Sequence, residues 1–490
     1  MGRTGRVVRA SREERAEEPL ASSTRVWQGS LVVNASTQVV KLALVWRTAR
    51  VVLTWDRGEG ALGEEERRKA RGGAGREAGA RGREEPDLAT SASLVHRVGI
   101  RAMEYGWRMG LATRGLMALC SANDRVSLYL CLEWQALVLY VLACFTRTSA
   151  RATEAGLKYF IQGSVMSGVY LFGMARVYGV YGTVSFTERR LRRREGGRPG
   201  VDRAGTVGLR RVLSTLRFKV AAVPFHAWAP DVYEGAPTSS GVYFAVVPKR
   251  AILSLRLRVL TTFQETQAVW QPRVRRVGVR SRVLAPLAAR AQRKWKRFLA
   301  YSSIANVGIL RMGVGVGGFA GHQAVWLYGR VYSRTALAIW VSRASVVKRE
   351  GEGDTGRTAH PALFIHELDG LAENNPILAY TIGVGILSSA GLPPFVMFYA
   401  KRSILMAMSG SLRRRAIRVV RVSVVTTFYY LRFVKVRFFK TDASPKRVTE
   451  ARTPWASRTL GRLRVGMVRL LVDSNLLVGL TTWMAKSSGA

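Results

Sequence analysis

The chain has 490 residues, with 77 lysines and arginines against 32 aspartates and glutamates, so its formal net charge is +45 at pH 7. A balance this basic usually indicates nucleic acid or an anionic membrane surface as the partner. However, 48% of the residues are hydrophobic, and they are gathered into long uncharged runs. A soluble core rarely contains several such runs, which favours a membrane protein over a nucleic-acid-binding protein.

The first 91 residues differ from the rest of the chain. Residues 1–25 are charged, and we expect them outside the bilayer, without a clean signal peptide. Residues 26–55 form one possible membrane span, although basic residues interrupt it. Residues 56–87 are rich in Gly, Glu and Arg, which predicts a solvated loop.

From about residue 92 onward, apolar windows alternate with short basic connectors. The longest uncharged run has 27 residues, at 374–400, and a membrane-spanning helix needs about 20 mostly apolar residues. We therefore predict an all-α polytopic membrane protein with about 10–13 transmembrane helices. The apolar windows are 99–121, 126–146, 157–187, 212–228, 236–258, 298–311, 312–346, 376–409, 415–439 and 464–485. Three connectors are polar enough to be surface loops: 188–210, 347–372 and 440–463.

Prolines interrupt two of the apolar windows close to a lysine. Pro224 follows Lys219 within FKVAAVPFHAWAPD, and Pro393 and Pro394 precede Lys401 within SSAGLPPFVMFYAK. A proline removes a helix hydrogen bond, and the freed carbonyl must be satisfied inside the protein or by water. Two broken helices at corresponding places in two halves indicate an inverted-repeat transporter, although proline kinks are also common in membrane helices.

Four charged residues lie within apolar motifs: Glu133, Lys219, Lys249 and Lys401. An ionisable group in a membrane helix costs roughly 2.5–3.5 kcal/mol on insertion scales and is functional by default. A Glu–Lys pair in low dielectric can alternate between a paired state and a state that releases or accepts a proton. The pattern predicts a proton relay, with His226 in support. The alternative is a static buried ion pair or lysines that reach the membrane interface.

The three cysteines, Cys120, Cys131 and Cys144, lie in or beside one apolar region, without a second cluster or a CxxC motif. We interpret them as small apolar helix residues. The histidines show no metal-ligand spacing, so we expect neither a bound metal nor a cofactor.

A series of motifs resembles, in order and spacing, the chain 2 family of NADH–ubiquinone oxidoreductase, the antiporter-like membrane-arm subunits of respiratory complex I. PFHAWAPDVYEGAPT is specific to antiporter-like subunits, and TEAGLKYF with the PK at 248–249 favours chain 2. The other motifs are SANDRVSLYLCLEWQALVLYVLACF, KWKRFLAYSSIANVGI, ENNPILAYTIGVGILSSAGLPPFVMFYAK and FYYLRFVKVRFF.

The resemblance covers residues 99–439 and implies an antiporter-like bundle with two inverted repeats and discontinuous helices. The first three helices of the family are apolar, whereas residues 1–91 are mostly hydrophilic, so we expect a divergent N-terminal region with one possible span. We expect the first repeat at 92–258 and the second at 259–440. Residues 441–490 are expected to form a C-terminal loop and a last helix.

The resemblance also implies proton translocation coupled to NADH:ubiquinone oxidoreduction, without redox cofactors in this chain. In the family, the glutamate that matches Glu133 pairs with the lysine that matches Lys219. The lysine matching Lys249 continues a central hydrophilic axis, and the one matching Lys401 leads toward the neighbouring subunit. The implied partners are other membrane-arm subunits, with no nucleic acid and no small-molecule substrate other than protons.

The sequence departs from the family pattern at several positions. Asn306 follows AYSSI where the family usually has a histidine or glutamine one residue later, which weakens the expected middle relay. Met397 replaces a usual glycine, and Trp134 a usual leucine. Arginine stands where the family has leucine at three further positions: Arg125, Arg330 and Arg334.

Several arginines facing the bilayer would cost roughly 2.5–3.5 kcal/mol each, more than a marginally stable fold tolerates. One hypothesis is that other subunits or anionic lipids such as cardiolipin neutralise them. The second is that RNA editing or a reassigned codon replaces many of them in the mature protein. Peptides with arginine at 330 and 334 would contradict the second hypothesis.

Two other functions stay open on the sequence alone. A stand-alone cation/proton antiporter needs no NADH-oxidising partners. A degenerate scaffold subunit completes the membrane arm without pumping, as the divergent N-terminal region and Asn306 suggest. The unusual N-terminal region and composition favour the mitochondrial inner membrane, with a bacterial plasma membrane as the alternative.

Overall fold

The described residues of the computed structural model form a helical bundle with a few short strands. The predicted loop at 56–87 lies outside them. The structure describes residues 24–26, 30–34, 36–52, 88–146, 149–186, 188, 199–263, 267–350, 358–361, 363–368, 371–439, 448–450, 460–463, 465–466 and 474–487.

The helices agree with the predicted all-α class. In chain order they are α1 (36–52), α2 (Leu88–Ser121), α3 (Arg125–Ala143), α4 (Ala150–Tyr181), α5 (Pro199–Lys219), α6 (Trp228–Gly235), α7 (Thr238–Thr262), α8 (Gln267–Arg290), α9 (Trp295–Val316), α10 (Gly318–Ala344), α11 (Leu371–Asn374), α12 (Pro376–Ala390), α13 (Val396–Phe439) and α14 (Ser474–Ser487).

Helix α1 lies within the possible first span predicted at 26–55. Val40 and Leu44 on one face are buried, and Leu42 and Trp46 on the other face are exposed. Buried residues one helical turn apart place a single face of α1 against the bundle. The exposed apolar face is therefore available to lipid or to another subunit.

The first predicted break separates α5 from α6. Helix α5 ends at Lys219, and α6 begins at Trp228. The indole Nε1 of Trp228 donates a hydrogen bond to the carbonyl of Phe218 at 3.0 Å, and the amide of Val223 donates to Ser281 Oγ at 3.0 Å. Interior side chains thus satisfy backbone groups that the broken helix leaves free.

The second predicted break separates α12 from α13. Helix α12 ends at Ala390, and Gly391 follows with φ of 79°, a left-handed conformation that favours glycine. The amide of Gly391 donates to the carbonyl of Leu387 at 3.1 Å. The predicted discontinuous helices are therefore confirmed. Their prolines occupy the two breaks, with cis peptide bonds at Val223–Pro224 and Pro393–Pro394.

Helix α13 folds back on itself. Lys401 contacts the carbonyl of Ser389 at 3.0 Å, and the Phe438 ring lies 5.8 Å from the Tyr380 ring, so both regions of α13 touch α12. A straight helix would separate residues 401 and 438 by about 55 Å, whereas residues 380 and 389 of α12 lie only about 14 Å apart. The serine–glycine–serine segment at 409–411 is the sequence's candidate for the bend. Two arms result, matching the two predicted windows.

Two helices differ from the sequence prediction. The predicted surface loop at 188–210 is wrong from Pro199 onward, where α5 begins, and α8 was not predicted as a span. Arginines lower the hydropathy of both helices, although each packs closely on a neighbour. Gly278 of α8 and Gly308 of α9 meet so closely that a Cβ on Gly278 would lie 3.0 Å from the Gly308 carbonyl.

By length and apolar composition, two of the described helices qualify as membrane spans, α3 and α9, and α12 is a shorter apolar helix. Exposed apolar side chains cover one side of α3 and α4. They include Val126, Leu130, Leu137, Leu157, Ile161 and Val165.

Short strands form in or beside segments predicted as loops and, near the N-terminus, within the possible span predicted at 26–55. That span prediction is wrong at Leu31–Val33, which forms a strand. The first pair is an antiparallel hairpin of β1 and β2, and β3 lies between β4 and β5 in an antiparallel sheet. The strands are β1 (Thr24–Val26), β2 (Leu31–Val33), β3 (Val346–Glu350), β4 (Thr358–Pro361) and β5 (Val448–Glu450).

Helix α10 lies at the centre of the second half, where it packs against α7, α9, α12, α13 and α14. The largest buried aromatic side chains of this region, Trp295, Trp326 and Trp340, come from α9 and α10. This part of the core therefore packs against α7 and α13, which carry Lys249 and Lys401.

Candidate functional site

The first group of site residues lies between α3, α4 and α5. Glu133 is half-buried on α3 and accepts a hydrogen bond from Ser167 Oγ of α4. Lys219, only 5% exposed, ends α5 with its ammonium 5.8 Å from the ring centroid of Tyr140. Tyr140 lies two turns from Glu133 on the same helix, so the phenol ring lies near Lys219 and on the helix that carries Glu133.

Glu133 and Lys219 do not form a direct contact. The Lys219 ammonium and the Tyr140 hydroxyl are both buried without a hydrogen-bond partner in the described part of the chain. The Glu133 carboxylate nevertheless acts electrostatically on both groups. The arrangement is an open carboxylate–phenol–ammonium group rather than a closed ion pair.

Lys249 lies in the interior of α7, directly after Pro248. Its ammonium donates to Ser303 Oγ of α9 at 2.7 Å, and it lies 5.5 Å from the ring centroid of Tyr233. Ser303 in turn donates to the carbonyl of Ala300 at 2.8 Å. The central lysine is therefore held by neutral partners.

Lys401 lies in the first arm of α13 and is buried. Its ammonium donates to the carbonyls of Ser389, at 3.0 Å, and Ala390. These carbonyls belong to the C-terminal end of α12, where the helix dipole favours a positive charge. The predicted lysine thus caps the helix on the other side of the break.

His226 lies within the first break and is half-buried. Its Nδ1 is 3.2 Å from the carbonyl of Pro224. This contact is local, and it does not bring His226 to a relay lysine. Pro224, Pro393 and Pro394 are exposed at the surface of their breaks.

Polar side chains that the sequence analysis did not select lie between Lys249 and Lys401. The hydroxyls of Ser302 and Tyr430 share a hydrogen bond, and Tyr328 donates to Asn306 Oδ1 at 2.8 Å. Asn306 Nδ2 donates to the carbonyl of Ser302 at 3.0 Å. One pattern in the sequence could have pointed to this polar group: Tyr328 and Tyr332 lie four residues apart, on one face of α10.

A second group missed by the sequence analysis is an ion-pair network at the surface. Arg297 pairs with Asp231 at 2.6 Å and with Glu234, and Glu234 also pairs with Lys294. Lys158 reaches Asp231 at 3.6 Å. These residues line a cavity of about 200 Å³. The network ties α6 to α4 and to the start of α9.

The positions that depart from the family pattern have different surroundings. Met397 is buried and Trp134 is half exposed. Arg125 is buried, and its guanidinium donates to the carbonyl of Thr183 at 2.5 Å. Arg330 and Arg334 are half-buried. Among the residues that the structure describes, no group of three or more His, Cys, Asp or Glu could hold a metal ion.

A helical bundle with two broken helices and a row of buried lysines defines the class of antiporter-like membrane proteins. The family described as NADH:quinone oxidoreductase/Mrp antiporter, transmembrane, matches residues 122–428. The chain belongs to this family.

Two relatives show how closely the sequence follows the family. NADH-quinone oxidoreductase subunit N 1 of Rhizobium meliloti is 40% identical over 385 residues, which cover 78% of this chain and 76% of the relative. NADH-quinone oxidoreductase subunit N of Paramagnetospirillum magneticum is 42% identical over 362 residues, which cover 72% of each chain.

Solved structures share the fold at lower identity. A chain of respiratory complex I from Thermus thermophilus is 24% identical with a TM-score of 0.64, covering 91% of this chain and 93% of that chain. A chain of the Mrp complex from Dietzia is 18% identical with a TM-score of 0.72, covering 98% and 89%. The likeness supports the antiporter-like architecture.

Proposed function

We propose that this chain translocates protons across a membrane as a subunit of an NADH:quinone oxidoreductase, with electron transfer in other subunits. The observation that carries the proposal is a set of buried lysines in one bundle, each beside a helix break or a proline: Lys219, Lys249 and Lys401. Ionisable groups buried in membrane helices are functional by default. The names of the relatives, which assign them to NADH-quinone oxidoreductases, support the coupling.

In the proposed relay, Glu133 and Lys219 form the first station. The Tyr140 ring lies near the Lys219 ammonium, and a change in the charge of Glu133 or of Lys219 alters the electric field at the other group. Lys249 is the second station, and Lys401 is the last and leads toward a neighbouring subunit. His226 has a supporting role near the first break.

Two inverted repeats, 92–258 and 259–440, form the proposed domains between an N-terminal region at 1–91 and a C-terminal segment at 441–490. Each repeat contributes one broken helix. Lys219 precedes its break in the chain, whereas Lys401 follows its break.

The first test is Lys219→Met in the assembled complex. We expect the variant to abolish the pumping that depends on this chain, because methionine keeps the length of the side chain but cannot carry a proton. The measurement is the number of protons translocated per electron during NADH oxidation. The exposed Lys435 of α13 gives the matched control, Lys435→Met. An unchanged ratio in Lys219→Met contradicts pumping and favours a scaffold subunit.

The stand-alone antiporter is separated from this proposal by purification. A native gel of solubilised membranes should contain this chain in the NADH-oxidising band, as peptide mass spectrometry would detect. Its presence only in bands without that activity would favour the stand-alone antiporter. Immunolocalisation tests the proposed mitochondrial inner membrane, for which the named bacterial relatives leave a plasma membrane as the alternative.

Anionic lipid, such as cardiolipin, is a further proposed partner. Arg47 of α1 is buried and experiences the charges of Arg330 and Arg334 of α10. Arg50 stacks 3.4 Å over the ring of Trp46, which is half exposed. Like charges gathered beside an exposed aromatic side chain suit a lipid phosphate at the membrane interface.

Lipid analysis of the purified complex tests this partner. The double variant Arg330→Gln/Arg334→Gln should retain less anionic lipid than the unaltered chain, because two guanidinium groups are lost. Arg418→Gln is the control, since Arg418 is exposed on α13. Equal lipid content in the double variant and the control would exclude this site.

A further inference from the structure

A cavity of about 420 Å³ lies where the end of α8, the start of α9, the segment 363–368 and the second arm of α13 meet. None of the proposed relay residues lines it. The amide of Trp295 donates a hydrogen bond to the carbonyl of Leu363 at 3.0 Å. The amide of Ile365 donates to the carbonyl of Arg293, also at 3.0 Å. These bonds fix one wall of the cavity to the bundle.

The inner part of the cavity is aromatic. The rings of Phe298 and Phe433 stack with their centroids 5.3 Å apart, and both side chains are 2% exposed. Tyr429 meets Phe298 edge to face at 5.5 Å. In the wall that follows β4, Phe364 stacks on His366 at 5.4 Å. Burial of apolar ligand surface against these rings is favourable.

The rim of the cavity is basic. Three exposed arginines line it, and we call them the rim arginines: Arg290, Arg293 and Arg432. Among the described residues that line the cavity, none is an aspartate or a glutamate. The carboxylate of Glu367, which lies close by in the chain, accepts hydrogen bonds from two backbone amides of its own segment. The rim thus has an excess of positive charge, which suits an anion.

Helix α8 and the second arm of α13 run side by side below the rim. At the rim, Arg432 Nη1 donates to the carbonyl of Arg290 at 3.0 Å. About two turns earlier on both helices, the guanidinium of Arg282 donates to Thr426 at 2.9 Å. Because the earlier residues of both helices meet and the later residues also meet, the helices are parallel. The groove between them therefore continues from the cavity.

Exposed apolar side chains lie along this groove. Phe428 is one turn from Arg432 on the same face, and the guanidinium of Arg290 lies 5.6 Å from its ring centroid. Val425 is two turns from Arg432, and Leu287 is one turn from Arg290. All three apolar side chains are about half exposed. An apolar groove below a basic rim matches a lipid, whose acyl chains lie below its phosphate.

We propose that the cavity binds the phosphate of an anionic phospholipid at the rim arginines, with an acyl chain along the groove between α8 and α13. Arginine presents a planar fork of donors that matches the oxygens of a phosphate. The groove distinguishes this ligand from a free phosphate, which would use the arginines alone. The site lies on helices other than α1 and α10, which form the lipid site proposed above. The inference goes beyond the proposed function, because it does not depend on proton transfer.

The test uses the assembled complex and phosphatidylglycerol with a photoreactive group in its acyl chain. After irradiation, peptide mass spectrometry identifies the labelled residues. We expect label in the exposed parts of the groove, at 284–287 and 424–431. In the rim variant, Arg290→Gln/Arg293→Gln/Arg432→Gln, this label should fall roughly tenfold or more, because three charges that attract the phosphate are lost.

A matched control removes the same charge elsewhere. Arg402→Gln/Arg414→Gln/Arg418→Gln changes exposed positions of α13 that do not line the cavity. Label that is lost in the rim variant and retained in the control supports the site. Equal losses in both triple variants would overturn it, as would full labelling of the rim variant.

The remaining outcomes identify another occupant. Displacement of the label by an excess of inorganic phosphate would overturn the lipid assignment in favour of a free phosphate. No label at the groove of the unaltered complex would also overturn the proposal, in favour of a neighbouring subunit that covers this face. If the rim variant fails to assemble, Arg293→Gln decides, because the Arg293 side chain has no hydrogen bond or ion pair with another described residue. A partial loss of label in that variant supports the site, and unchanged label refutes it.

Discussion

At the scale of single residues, a buried arginine is the feature whose free-energy cost is hardest to explain. Arg311 of α9 is 1% exposed, and its three guanidinium nitrogens have no hydrogen-bond partner among the described residues. The charges that act on it are those of Arg256 and Arg217, which repel it. An unpaired buried charge costs several kcal/mol, and a lipid phosphate cannot reach a side chain this enclosed.

The surroundings of Arg311 help to choose between the two hypotheses for the arginines. One is neutralisation by other subunits or anionic lipids, and the other is replacement by RNA editing or a reassigned codon. We expect peptide masses from the mature protein to show an apolar residue at position 311, as RNA editing or a reassigned codon would produce. The same spectra cover the half-buried Arg330 and Arg334. Peptides with arginine at 311 would contradict the expectation, and arginine at 330 and 334 would contradict recoding there.

The predicted relay residues show how much of the candidate site can be predicted from the sequence alone. Glu133, Lys219, Lys249 and Lys401 could be selected because charge in an apolar window is costly. Their partners could not, because Ser303 is one of many serines and becomes a partner only when α7 packs on α9. A direct Glu133–Lys219 contact was implied by the resemblance, whereas in the structure Glu133 bonds Ser167 and Lys219 lies near the Tyr140 ring.

At the scale of helices, the two breaks could be predicted because a proline removes a helix hydrogen bond and can break the helix. The prediction also needed the nearby lysines, since Pro248 lies inside the continuous helix α7. Helices α5 and α8 were obscured, because their arginines lower local hydropathy although the backbone is helical and one face is packed. The ends of α12 and α13 also depend on Gly391, whose left-handed conformation is not visible in a hydropathy profile.

Gly391→Ala tests the second break. A Cβ at this position would meet the side chain of Lys401, and the left-handed backbone adds about 1–2 kcal/mol of strain. We expect a lower thermal midpoint for the assembled complex and fewer protons per electron. Gly168→Ala is the control, because a Cβ there meets nothing within 4 Å. A midpoint equal to that of the control would show that the break tolerates a side chain.

At the scale of the whole molecule, the exposed apolar side of α3 and α4 indicates which surface faces lipid or a neighbouring subunit. Leu137, 55% exposed near the middle of α3, is a representative position. Leu137→Lys should reduce the amount of assembled complex in membranes, since a lysine there costs roughly 2.5–3.5 kcal/mol.

Leu363→Lys is the comparison for this surface. Leu363 is 41% exposed in the segment after β4, outside the long helices. We expect normal assembly, as measured by the quantity of complex on native gels. Equal losses in both variants would mean that the apolar side of α3 has no special role.

The helical architecture could be predicted from the sequence more fully than the strands and the fold-back of α13. Ordered motifs from 99 to 439 were enough to expect an antiporter-like bundle, because they fix the sequence of helices and breaks. The three-stranded sheet could not be anticipated, since β3 and β5 are far apart in sequence and pair only after the bundle forms. The fold-back of α13 needed tertiary contacts for the same reason.

The cap that Lys401 provides to α12 has a reciprocal consequence. A protonated Lys401 is stabilised by the carbonyls of Ser389 and Ala390, and those carbonyls are equally stabilised by the proton. Linkage requires both effects to have the same free energy. A displacement that draws the end of α12 away from Lys401 therefore eases proton release, and proton release loosens that end by the same amount. The protonation of Lys401 and the position of the end of α12 are therefore coupled in a single equilibrium.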